Sequence, residues 1–105
     1  MNTEEIINQA IRQQKDKYPG ETLWLLQKKS GKDNASLPSD HWVIGFGQEP
    51  TEGERIVILR LANKEYPEGR HGWFESTPVR SMTRNDEADF WVIQTENSEY
   101  KLEKL

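Results

Sequence analysis

The chain begins with one hydrophobic period and then changes to another. Ile6, Ile7, Ala10 and Ile11 recur at helical spacing, Tyr18 extends the stripe, and Gln, Arg and Lys fill the opposite face. Thr3 is the expected N-cap, its hydroxyl accepting from a first-turn amide, with Glu4 and Glu5 at the positive end of the helix dipole. Pro19-Gly20 stops the pattern. A stripe of about three turns is marginal as an isolated helix, so it needs a surface to pack on.

From residue 21 the pattern is that of strands. "TLWLLQ" (residues 22–27) is apolar on both faces, as expected of a strand lying under the helix. "KKSGKDNASLPSD" (28–40) reads as a polar loop. "HWVIGFG" (41–47) is the next strand, with Gly45 and Gly47 marking a bulge or tight bend. After the turn "QEPTEGE", "RIVILRL" (55–61) is the strongest strand signal and is expected at the centre of the sheet. "ANKEYPEGRHG" (62–72) is a second polar loop. "WFESTPVRSM" (73–82) resumes extended structure as an edge or bulged strand, because Pro78 cannot donate to a ladder.

The last two strands, "FWVIQT" (90–95) and "EYKLEKL" (99–105), form a hairpin around "ENS". The intervening "TENSEY" looks like a motif, but each residue has a structural job. Asn97 tolerates a left-handed turn conformation, Ser98 can bond nearby backbone, and Tyr100 and Leu102 alternate with charged neighbours. The expected fold class is therefore α+β: an N-terminal helix (1–20) packed on a small, strongly bent antiparallel sheet or partly open barrel of five or six strands (21–105). The connections are too short for parallel crossovers. No repeat or linker divides the chain, so residues 1–105 are read as one domain.

Composition narrows this picture. Leu, Ile, Val and Phe supply 22 of 105 residues. That is about a fifth, near the border below which chains fail to fold. Four Trp and three Tyr compensate, since each large aromatic buries roughly 150–250 Å². A homo-oligomer would add burial to so small a core. There is no cysteine, which excludes disulfides and thiolate metal sites. No stretch approaches the ~20 apolar residues of a membrane span. The acidic, amphipathic N-terminus is unlike a signal peptide, so a cytoplasmic protein without a membrane role is the expectation.

The net charge is −4, and residues 71–105 alone carry four basic and seven acidic side chains. Nonspecific nucleic-acid binding needs a basic surface to displace counterions, so it is disfavoured.

Little of the chain resembles a catalytic constellation. Asp40-His41 and the serines at 30, 36 and 39 lack a nucleophile elbow, and adjacent strand residues point to opposite faces. The acidic groups Glu49, Glu52 and Glu54, and Asp86, Glu87 and Asp89, lie in charged turns where burial cannot tune their acidity. His41 and His71 lack metal-ligand spacing, and "GFGQEPTEG" lacks the Lys-Ser/Thr ending of a phosphate loop. No metal, cofactor or catalytic residue is expected. A small hydrolase or transferase using His41 or His71 is the minor enzymatic alternative.

Binding remains. "GRHGWFESTPVR" (69–80) gathers Arg70, His71, Trp73 and Arg80, with Arg84 just beyond. Arginine and tryptophan often dominate recognition, through bidentate bonds to anions and through stacking. The structural alternative is that Trp73 is core and the arginines form a solvated face. Trp42 and Trp91, with apolar neighbours on both sides, are read as core.

The C-terminal third resembles the tail of small bacterial and phage β-barrel proteins: an S/T-x-V strand, a turn, then a strand ending T-x-N/S-S-x-Y-x-L. The matching residues are Thr77, Val79, Thr95, Asn97, Ser98, Tyr100 and Leu102, over about 30 of the 105 residues. The resemblance implies an SH3-like or related barrel, and with it a phage or mobile-element inhibitor, such as the Thoeris-type anti-defence sponges. No ligand-binding residue of that family maps onto this chain. The expected function is a non-enzymatic binding protein, possible as a homo-oligomer, that takes a protein partner or sequesters an anionic small ligand around Arg70, His71, Trp73, Arg80 and Arg84. A nucleic-acid-associated barrel is the alternative.

Overall fold

The computed structural model describes residues 2–31, 41–64, 72–85, 87 and 89–105. In chain order these form α1 (Thr3–Lys17), β1 (Trp24–Gly31), β2 (Trp42–Phe46), β3 (Arg55–Asn63), β4 (Trp73–Pro78), β5 (Ser81–Asn85), β6 (Phe90–Gln94) and β7 (Ser98–Lys104). The helix is capped one residue earlier than the sequence suggests. Asn2, rather than Thr3, is the N-cap, its side-chain oxygen accepting from the Glu5 N–H at 2.8 Å. Asparagine is at least as good a cap as threonine, so the earlier position wins.

The strands form a single antiparallel sheet in the order β4-β3-β2-β1-β7-β6-β5. There are seven, where five or six were expected. The difference comes from residues 73–82, which are two strands rather than one. Pro78 closes β4, and β5 begins at Ser81 on the opposite edge of the sheet. The link between them closes the curl. Val79 donates to the Glu54 carbonyl at 2.9 Å and accepts from Gly53 N–H at 2.8 Å, while Arg80 N–H donates to the Gln94 carbonyl at 2.8 Å. One short segment thus holds the β3 side and the β6 side together. The result is a half-barrel with the helix packed on its outside.

The central strand is β1, not β3, which lies next to the β4 edge. Strand β1 also runs further than "TLWLLQ", through Lys28 to Gly31, with a register shift against β7 between Lys28 and Ser30. The predicted bend at Gly45 is a register shift against β3, between Ile44 and Gly45. A Cβ at Gly45 would collide with the Leu59 carbonyl, so only glycine permits this approach.

The two-faced apolar runs now have a cause. On the concave side, Trp24, Leu26, Val43, Ile56, Ile58, Phe74, Val79, Trp91, Ile93, Tyr100 and Leu102 form the main core. On the convex side, Leu25, Trp42, Ile44 and Ala62 form a second cluster with Ile7 and Ala10 of the helix. Strands β1 and β2 therefore bury both of their faces, and the helical stripe finds the surface it needs. Each buried large apolar side chain contributes about 1.5–3 kcal/mol relative to exposure. Trp42 and Trp91 are core, as their neighbours indicate. The "TENSEY" stretch is a turn: Thr95 N–H donates to the Ser98 carbonyl at 2.9 Å, and Tyr100 and Leu102 point into the main core.

Candidate functional site

Beyond the reach of α1, the outer face of the sheet is open. Along β3, Ile56 and Ile58 turn inward while Arg55, Val57 and Leu59 turn outward. Along β4, Phe74 and Ser76 turn inward while Trp73 and Glu75 turn outward. The register pairs Leu59 with Trp73 and Val57 with Glu75. Trp73 is 66% exposed and Val57 43% exposed. Trp73 is therefore not core, contrary to the bland reading of its sequence context.

The connection between β2 and β3 borders this face and forms with it an open groove of about 520 Å³, lined by Phe46, Pro50, Glu54, Val57, Leu59 and Trp73 among others. That connection carries Glu49, Glu52 and Glu54 and no basic residue before Arg55. The Arg55 guanidinium is already engaged, with Nε 3.6 Å from Glu75 Oε1 and Nη1 donating to the Ser76 carbonyl at 3.4 Å. The groove is thus aromatic and aliphatic with an acidic rim. Ser76 holds its far end: its hydroxyl accepts from Ile56 N–H at 2.9 Å and donates to the Thr77 carbonyl at 2.7 Å, spanning the register shift between β3 and β4.

The residues singled out from sequence are dispersed relative to this groove. Arg70 and His71 lie outside the described residues. Trp73 lines the groove, but Arg80 and Arg84 do not. Arg84 lies on β5, at the other edge, with its guanidinium 3.3 Å from Asp89 Oδ1 and 5.2 Å from the Trp91 ring centroid. Arg80, in the link, pairs with Glu96 at 3.7 Å. Both ion pairs are exposed, where such contacts contribute little to stability.

Two cations were overlooked in the sequence, although strand alternation marks both. Trp24, Leu26 and Lys28 share one face of β1, so Lys28 follows two core residues inward, and it is buried. It has a partner and is not a free charge. Ile56, Ile58 and Arg60 share one face of β3 in the same way, and Arg60 is half-buried beside Gly72. His41 sits with Lys28, Lys29 and Lys64 around a shallow depression next to the start of α1. On the inner face, burial raises the Tyr100 phenol above its ordinary value, and a hydrogen bond with Ser98 opposes the shift.

Among the described residues, no group of three His, Cys, Asp or Glu side chains could hold a metal ion, and no helix is long and apolar enough to cross a membrane. Comparison with known proteins finds no matching family model, no matching curated protein and no matching solved structure.

Proposed function

We propose that this chain is a non-enzymatic recognition protein whose partner is another protein, seated on the outer face of β3 and β4 with Trp73 as its anchor. The observation that carries the reading is the 66% exposure of Trp73, next to the exposed Val57 and over the groove beside the β2–β3 connection. A tryptophan left in water beside another exposed apolar side chain forgoes burial that a small core could use. Tryptophan is also among the side chains that most often dominate an interface. Strand β4 is an edge strand, and sheet edges are common docking lines for other chains. The Glu49 and Glu54 rim favours a partner surface that is apolar at its centre and basic at its margin. Inhibition of a host protein, as the C-terminal resemblance implies, is one use to which such a surface could be put.

Photocrosslinking from position 57 tests this directly. A photoreactive phenylalanine in place of Val57, in cells of the protein's own source, should yield a discrete protein adduct. The adduct should disappear in the Trp73→Ala background and should not form from position 92, whose valine is exposed on β6. An adduct that survives Trp73→Ala, or none from position 57, would overturn the proposal. An adduct of twice the chain mass would replace the heterologous partner with a second copy.

A further inference from the structure

A second site is marked by an arginine whose buried Nε has no acceptor among the described residues. The other described arginines of the sheet region each have a carboxylate: Arg55 has Glu75, Arg80 has Glu96 and Arg84 has Asp89. Arg60 is more enclosed than any of these, yet its Nε is fully shielded from solvent and has no hydrogen-bond partner among the described residues. A buried donor left unpaired is costly. In a chain of net charge −4, carboxylates for a structural pair are plentiful.

The surroundings keep the guanidinium's place clear. Gly72 stands opposite Arg60, its carbonyl accepting from the Arg60 N–H at 2.7 Å. A Cβ built on Gly72 would lie 2.9 Å from Arg60 Nη2, and Gly72 has φ +148°, a conformation side chains rarely adopt. Any other residue would push on the fork. On the same inner row, across Gly45, the register places Trp24, whose buried indole Nε1 also lacks an acceptor. Two buried donors without acceptors among the described residues thus lie on one row, with Gly45, packed against Ile58 and Leu59, between them. A planar guanidinium matches the paired oxygens of a carboxylate or phosphate.

We propose that Arg60, held between the ends of β3 and β4 beside Gly72, is the binding site of an oxyanion, a carboxylate or phosphate group of a small ligand. This site is distinct from the Trp73 groove on the outer face, and either could exist without the other. It also places anion recognition on Arg60 rather than on Arg80 and Arg84, whose charges are already matched.

The test is an arginine-selective ¹H–¹⁵Nε NMR titration of the full chain with sodium phosphate, and separately with sodium acetate, at constant ionic strength set by chloride. The Arg60 Nε–H signal should shift saturably with at least one of the two, while Arg80 and Arg84 shift weakly and linearly. Saturation with phosphate alone identifies a phosphoryl ligand, and saturation with acetate alone a carboxylate. Arg60→Lys, which keeps the charge and loses the fork, should weaken binding about tenfold or more. Gly72→Ala should weaken it while the backbone spectrum stays folded. An Arg60 signal unmoved by both anions, or moving no more than Arg80, would overturn the assignment, and that result needs no variant to fold.

Discussion

Trp42 and Trp73 are each the first residue of a strand, and each points to the convex side of the same sheet, yet one is 2% exposed and the other 66%. The difference lies in what covers them. Helix α1 lies over β1, β2 and the end of β3 and seals Trp42 among Leu25, Ile44 and Ala62. It stops short of β4, so Trp73, Val57 and Leu59 face a groove instead of a helix. One outer face thus serves two purposes: the covered half supplies stability and the open half remains available for recognition. Neighbouring residue types do not separate the two cases, because both tryptophans sit beside apolar residues in extended segments.

The largest way to break this contrast is Trp42→Ala. Removing an enclosed aromatic should cost about 3–5 kcal/mol, read as a loss of urea-unfolding free energy; a loss below 1 kcal/mol would mean that the helix does not seal the face. A smaller effect should come from Asn2→Ala, which strips the cap from the covering helix and should cost about 1 kcal/mol. That variant sharpens the comparison if amide exchange quickens in α1 and β2 but not in β4. Smaller still is the pH dependence of the concave core. The folded-state pKa of Tyr100 is raised by burial, so its contribution is intact below the ordinary value of 10.0 and is lost as pH rises from there through the folded pKa. The unfolding midpoint should therefore fall above about pH 10, and Tyr100→Phe should flatten that fall. A decline equally steep in Tyr100→Phe would place its cause elsewhere.

Much of the fold was legible because it follows from local chemistry. The helical stripe from Ile6 to Ile11, the Pro19-Gly20 stop, the bend at Gly45 and the Thr95–Ser98 turn are all encoded within a few residues. What was not legible depended on contacts between distant segments. Residues 73–82 read as one strand with a proline flaw, and only the hydrogen bonds of Val79 and Arg80 to Gly53, Glu54 and Gln94 show two strands at opposite edges. That same separation dispersed the expected Trp73, Arg80 and Arg84 cluster. Arg60 and Lys28 were legible in principle, since both continue an inward alternation within β3 and β1, but a charged side chain is ordinarily assumed to turn outward. Val57 and Glu54 joined the site only because the β2–β3 connection, which carries Glu54, lies beside the outer face of β3.

The smallest expected stability change belongs to the most consequential residue. The central claim is that Trp73 serves recognition and not the core, and the most direct measurement is urea unfolding of Trp73→Ala alongside its crosslinking from position 57. Unfolding free energy should stay within about 0.5 kcal/mol of the parent, as for surface substitutions generally, while the adduct disappears. A loss of several kcal/mol, or an adduct that persists in a stably folded variant, would contradict it.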